Sequence, residues 1–394
     1  MGSNRKLLEE LYRDLPSTVR ELVDRGVDRI VKTKDQQGKV VVVTGSGPNL
    51  HEGVTTLIAE LIHKGVIDGV TTSSAVVAHE MAGVLDEVIR VDGQALGLPH
   101  EGLPRGGVFE ITRMPPGLLS QLEKEMVIDT DLMERALSLG GEVIIKAAGN
   151  MAYPMGARTE KLAREIQFMA RSRGFPFETI AGAGADERTM LGAASKCRVP
   201  CLVTVPQLIG GGMVGLALAD SISILERATR IAAMMSDADV IIESAVALTQ
   251  EIHDGPFETY TGHGIWSNLE GYPTYSLEGK TLIRIDLDPD LKKAWDLEKE
   301  SESVQEAIDQ GLPKTKTMSI PFRMEMSGFA RLEDSIPIVG DIGIIWPVMA
   351  NLIEKKLGIE LDFMSFPQES PQGREMRKWI VEHIRPVSRE KLMQ

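Results

Sequence analysis

VVVVTGSGPNLHEGVTTLIAELI, residues 40–62, decides how the chain is to be read. Four consecutive valines carry the stiff β-branched side chains that favour a strand, and an apolar run without polar alternation belongs to a strand buried on both faces. The run stops at Thr44, Gly45, Ser46 and Gly47, and an apolar pattern of helical period resumes over 52–64. A strand followed by a glycine turn and a helix aims backbone N–H groups at an anion. The spacing is not G-x-G-x-x-G, because Asn49 and Leu50 are followed by His51 and Glu52 before the next glycine.

Outward from this unit, short apolar runs recur at 39–44, 66–71, 87–91, 142–146, 177–181, 201–205, 238–242, 281–286 and 336–339. Stretches of helical period lie at 52–64, 74–85, 157–172, 187–196, 213–235, 244–251 and 342–356, between several of these runs. That alternation predicts a doubly wound α/β fold whose sheet is mainly parallel and covered on both faces. Residues 1–37 read as a helical N-terminal segment, 38–360 as the α/β domain and 361–394 as a C-terminal tail that wraps the core or a neighbouring subunit. The regions 92–117 and 253–280 are rich in glycine, proline and polar residues and too long for simple connections, so they are expected to be active-site loops.

The chain has 394 residues, enough for a full core, and a net charge of −14, which argues against a nucleic-acid partner or an anionic membrane surface. Val199 to Ala219 carries no charge and is long enough to cross a bilayer, but Pro200, Pro206 and Gly210–Gly212 would break a spanning helix. It reads as strand, turn and helix. Two cysteines, Cys197 and Cys201, are too few for a disulfide framework or a zinc site, and the opening MGSNRKLLEELYRDL is too charged for a secretory signal. The expectation is a cytoplasmic protein without a metal.

Ligands of open α/β sheets sit beyond the carboxyl ends of the strands. Here those ends collect Gly45, Ser46, Gly47 and Asn49; Thr72, Ser73 and Ser74; Gly149 and Asn150; Gly182 and Gly184; Gln207 and Gly211; Glu243; Asp286 and Asp288; and Gly340 with Asp341. So many small and polar residues at one edge point to a nucleotide or a similar elongated ligand. The acidic pair in IRIDLDPD either binds a ribose or caps a helix before Pro289, and Asp341 is equally a helix N-cap or a ligand group. Lys146, desolvated at a strand end, would serve as a base or an imine-forming amine, or else pair with a carboxylate. His79 is either a hydrogen-bonded helix histidine or a base. His253 and Asp254 lie in the long glycine-rich loop, where a histidine is solvated unless it is used in chemistry.

GPNLHEGVTTLIAELIHKGVIDGVTTSSAVVAHEMAGVL, followed by VPCLVTVPQLIGGG, ALTQEIHDG, TLIRIDLDPDL and IPIVGDIGIIWPVMANLIE, resembles in order and rough spacing the LOR/SDH domain of archaeal-type ornithine cyclodeaminases. The likeness covers roughly residues 38–356. The architecture is also similar to the deoxyhypusine-synthase-like NAD-binding fold, in which GPNL and VTTSSAV resemble turns that touch the cofactor. The resemblance implies bound NAD, an amino acid or amine substrate, hydride abstraction to an imine, and a homo-oligomer. It gives Glu80 the nicotinamide ribose to orient. It leaves open aminobutyl transfer of the deoxyhypusine or homospermidine synthase kind, although the Trp-Gly-Lys motif of that chemistry is absent, and NAD binding without catalysis. Where an acidic loop is expected after VP, the chain has Gln207-Leu-Ile-Gly-Gly-Gly.

Overall fold

The computed structural model describes residues 5–103, 107–149, 152–245, 279–286, 301–312 and 334–394, with a few isolated positions between them. Nine strands occur among these residues: β1 (Val40–Thr44), β2 (Gly69–Thr72), β3 (Leu85–Asp92), β4 (Val108–Thr112), β5 (Glu142–Ala147), β6 (Cys201–Val203), β7 (Val240–Ser244), β8 (Thr281–Asp286) and β9 (Ser335–Val339). Six of them build one sheet in the order β6-β2-β1-β7-β8-β9, with every pairing parallel. The valine run forms its centre: all five residues of β1 are buried, as a strand covered on both faces requires.

The alternating side chains of the sheet feed two cores. Val40, Val42, Val240, Ile242, Ile283 and Ile285 share one core with residues of the helices Ser17–Asp35, Val54–His63 and Ile342–Leu357. Val41, Val43, Ile241 and Leu282 face the other way, onto Met234 and Met235 of the helix Ile224–Ser236. The fold is therefore α/β with helices on both sheet faces. Both ends of the chain belong to the first core, Leu8 from the helix Arg5–Asp14 and Phe363, Phe366, Met376 and Ile380 from the C-terminal stretch. Gly53 links the helices Ser46–His51 and Val54–His63 at φ +69°, and a Cβ there would lie 2.6 Å from the Met376 sulfur. The left-handed φ favours glycine at this turn, and any side chain there would also displace the Met376 thioether.

Several sequence expectations need correction. The run 142–146 is a strand, but β5 pairs with β3 in a separate antiparallel sheet of order β4-β3-β5. Its Glu142 and Val143 are exposed, whereas a strand of the parallel sheet would be covered. The run 177–181 lies in a helix, Phe177–Gly184, where Phe177, Ile180 and Ala181 repeat at helical spacing against the core. A short apolar run fits either element, and packing chose the helix. The region 92–117 is not all loop, because it contains β4. The stretch 213–235 divides into the helices Met213–Ala219 and Ile224–Ser236, the second opened by a Ser223 cap.

Candidate functional site

Numbered along the chain, the strands of the large sheet run 3-2-1-4-5-6, and the order reverses between β1 and β7. Such a reversal sends the two connections to opposite faces and opens a crevice beyond the strand ends, where dinucleotides bind in sheets of this order. Thr44 and Ser244 are register partners at the two strand tips. The turn from β1 enters the helix Ser46–His51 through an extended Gly45, and no side chain caps that helix. Gly47 has open space where a Cβ would stand, so backbone there can be closely approached. Immediately after β7, Ala245 adopts φ +82°, a conformation costly for a residue with a Cβ and one that concentrates at functional sites.

Asn49 is fully buried and does not present its amide to the crevice. Its Nδ2 donates to the Gly45 carbonyl, and its Oδ1 accepts from the Ser244 hydroxyl at 2.7 Å. Ser244 in turn accepts from Trp346 Nε1 at 2.9 Å. The chain Trp346–Ser244–Asn49–Gly45 ties the turn after β1 to the tip of β7 across the reversal point. Nothing in the sequence around Trp346 marks this bond, although a buried indole N–H usually finds a partner.

Along the same edge, the buried hydroxyls of Thr44, Thr71, Thr72 and Thr204 have no hydrogen-bond partner among the described residues. They lie at or just beyond the ends of β1, β2 and β6. A buried hydroxyl without a partner costs about 1–3 kcal/mol, and Thr71 and Thr72, consecutive in β2, turn theirs to opposite faces of the sheet.

Beyond the reversal, Glu243 of β7 and Arg284 of β8 are register neighbours. Arg284 Nη1 donates to Glu243 Oε2 at 3.2 Å, and Nη2 donates to Asp286 Oδ2 at 3.4 Å. Glu243 Oε1 has no partner among the described residues. Burial pushes the Glu243 carboxyl up to about 7, against the pull of Arg284 and with help from Asp286. The sequence does carry a signal for Arg284, because a cation inside a strand buried throughout needs an anionic partner.

A second polar cluster lies where the small sheet meets the helices Ser46–His51 and Ser74–Met81. His79 Nδ1 is 2.7 Å from the Ala148 carbonyl, which can only accept, so Nδ1 carries the proton and Nε2 is the basic nitrogen. Burial, and secondarily Lys146, lower its pKa against the Ala148 bond. His79 lines a cleft of about 100 Å³ with Gly149, Thr159, Glu160 and the Gly210–Gly212 loop. His51 is driven down to about 4 by burial, with Arg377, His79 and Lys146 adding to the effect. Lys146 is bound to Glu110 at 2.5 Å. Burial pushes Glu110 up, but the bonds from Lys146 and Arg90 outweigh it and hold the carboxyl low. Asp86, the register partner of Lys146, is raised to about 6 by burial and accepts from Thr112 at 3.0 Å.

Other expected site residues are engaged elsewhere. Both oxygens of Glu80 accept from backbone amides, Met190 at 2.9 Å and Leu191 at 3.0 Å, opening the helix Met190–Cys197. Gly182 and Gly184 lie inside the helix Phe177–Gly184 and permit close packing, since Cβ atoms there would meet the Leu191 carbonyl at 2.7 Å and the Leu392 side chain at 2.8 Å. Ser73 caps the helix Ser74–Met81, and Ser74 Oγ donates to the Gln207 carbonyl at 2.7 Å. Gly211 closes the same contact, with a Cβ falling 2.6 Å from the Ser74 carbonyl. Gly149 donates its amide to Asp86 at 3.5 Å. Gly340 backs onto Ile345, and Asp341 caps the helix Ile342–Leu357 through Gly343 at 2.8 Å. Asn150, His253, Asp254, Asp288 and the Ser46 side chain lie outside the described residues.

No protein-family model and no curated protein matches the chain. Among solved structures it is similar to ArgZ, an arginine dihydrolase from the ornithine-ammonia cycle in cyanobacteria, at 11% identity and a TM-score of 0.41, over 85% of this chain and 32% of that one. AgrE in a ternary complex with ornithine and NAD+ gives 11% identity and a TM-score of 0.41, over 87% of this chain and 34% of that one. A LOR/SDH-type protein from Methanococcus maripaludis S2 gives 10% identity and a TM-score of 0.40, over 87% and 71%. The chain thus spans about a third of the length of the first two. At these identities residue roles have to be argued from the chain itself. Among the described residues, no helix is long and apolar enough to cross a membrane, and no group of three or more His, Cys, Asp or Glu is placed to hold a metal.

Proposed function

We propose that this chain binds NAD across the reversal between β1 and β7 and acts on an amino acid or amine. The observation that carries the reading is the 3-2-1-4-5-6 parallel order with a glycine turn at the end of its first strand. The residues present fit an elongated polar ligand. Gly45–Gly47 offers uncapped backbone amides for a pyrophosphate, and the unpartnered hydroxyls of Thr44 and Thr72 line the adjoining tips. One expected element is missing: β2 ends in Thr71-Thr72-Ser73-Ser74, without the carboxylate that usually holds the adenosine ribose.

NAD, when bound, supplies a hydride acceptor for an amine carbon. The protein then has to take a proton from the substrate ammonium and hold the substrate in place. Glu243 suits the first task, because its Oε1 is unpartnered at the tip of β7 and its pKa is poised near neutrality. Arg284 holds Oε2 and so fixes the direction in which Oε1 points. His79 Nε2 is the alternative base, facing the cleft beside the Gly210–Gly212 loop. Lys146 is a poor imine-forming amine, since its Nζ is held by the Glu110 carboxylate at 2.5 Å.

The test is to heat-denature purified protein, with and without prior addition of NAD, and identify the released nucleotide by mass spectrometry. Stoichiometric NAD supports the reading, and amino acids and diamines are then screened for absorbance of the reduced cofactor. Absence of NAD in both preparations, with no thermal shift on adding it, refutes it.

A further inference from the structure

A cleft of about 690 Å³ lies on another flank of the helix Met155–Arg173, between the first turn of the helix Pro116–Glu125 and the C-terminal segment from Arg385 onward. We propose that this cleft is a binding site for a phosphorylated small molecule, separate from the crevice at the sheet reversal. Three observations converge on it.

The first is Arg158, which is 2% exposed. Its Nε donates to Glu125 Oε2 at 2.7 Å and its Nη2 to the Val387 carbonyl at 2.8 Å, while Nη1 has no partner among the described residues. A guanidinium carries five donors in a fixed fork, and the one left over in this buried place calls for a further acceptor. The second is the helix Pro116–Glu125, whose opening residues Gly117 and Leu118 line the cleft. Its N-cap is Pro115, with no side-chain cap, and the Leu118 and Leu119 amides donate to the Pro115 carbonyl, so this end brings the Gly117 backbone and the positive end of the helix dipole to the cleft.

The third is charge. Lys124, Arg158, Arg385 and Arg389 line the cleft against Glu125 and Glu390, in a chain whose net charge is −14. Glu125 is taken by Arg158 and Arg389 by Glu165, but the side chains of Lys124 and Arg385 make no ion pair among the described residues; Arg385 Nη2 donates to the Glu382 carbonyl at 2.6 Å and its amide to Asp186 Oδ2 at 3.0 Å. A phosphate dianion accepts charge-assisted bonds from guanidinium and ammonium groups together. The volume is that of a metabolite rather than a bare ion.

The experiment is isothermal titration calorimetry on the full chain with pyrophosphate, inorganic phosphate and citrate at matched ionic strength. The variants are Lys124→Ser combined with Arg385→Ser, and separately Arg158→Lys. The double variant removes side chains that make no ion pair, so its folding, checked by circular dichroism, is expected to match wild type. The expected result is saturable pyrophosphate binding by wild type, weakened at least about tenfold in the double variant. Wild type without saturable binding, equal affinity in the double variant (which would place the anion elsewhere, the crevice included), or citrate binding as tightly as pyrophosphate would each overturn the proposal. Arg158→Lys keeps the charge but loses the fork, and unchanged affinity there would refute the role given to Nη1.

Discussion

Asn49→Ala is expected to loosen the reversal point more than any conservative view of a loop asparagine would suggest. The substitution removes the bond from Nδ2 to the Gly45 carbonyl and the 2.7 Å bond from Ser244 to Oδ1. Each such bond contributes about 1 kcal/mol net, and the buried carbonyl and hydroxyl left behind add a desolvation cost of similar size. The sum is about 2–4 kcal/mol, read as a fall in the midpoint of urea denaturation. Ser244→Ala strands the same Asn49 oxygen together with the Trp346 indole N–H, so its effect overlaps with the first. The two single changes should therefore sum to more than the double variant loses, by about 1 kcal/mol. Additivity to within about 0.3 kcal/mol would show that the two residues do not act as one chain, and the stitching of β1 to β7 would be refuted.

Three further outcomes follow from the geometry. Glu243 has a folded pKa raised from 4.5 to about 7, so the folded state holds its proton where the unfolded state has lost it. Its contribution to stability is present below pH 4.5, declines through the window up to about 7 and is gone above; Glu243→Gln should flatten this part of the stability profile, and an unaltered slope counts against the shift. Lys146→Met removes a charge that lowers both His79 and His51, so both imidazoles should titrate higher by NMR, and an unmoved pair would contradict their proximity to Lys146. Glu80→Ala leaves the amides of Met190 and Leu191 without acceptors and should cost about 2–4 kcal/mol in thermal or chemical denaturation, while NAD affinity of the folded protein is unchanged. A selective loss of NAD affinity at unaltered stability would instead restore Glu80 to the ribose.

The crevice and the His79 cluster differ in kind. At the reversal point the polar groups are strand-end hydroxyls and one poised carboxylate, which suits holding a long ligand and moving one proton. In the cluster, Lys146 and Glu110 satisfy each other and His51 is held neutral, so only His79 Nε2 and the raised carboxyl of Asp86 remain for chemistry. The helix Ser46–His51 joins the two, beginning at the β1 turn and ending at His51.

What the sequence determined by itself was local in origin. Four valines, a glycine turn and a resumed helical period suffice to place β1 and the helix Val54–His63, because β-branching and periodicity act within a few residues, while the helix Ser46–His51 lies in the stretch that reads as a turn. Repetition of that unit was enough to predict a parallel sheet. The order of its strands was not legible, since β1 pairs with β7 some 200 positions away and nothing local distinguishes that neighbour from another. The same limit explains β5, whose apolar run looks like the others but which ended in the antiparallel sheet because β3 pairs with it there. Residue roles divide in the same way. Asp341 caps the helix that follows it, a contact two residues long and one of the two roles its position offered. Asn49 finds Ser244 across 195 positions and Glu80 finds Met190 across 110, so the side chains that looked ready for a ligand were spent on the fold. Only tertiary structure decides which buried polar atoms satisfy one another, because each must pair with whatever packing brings within about 3 Å.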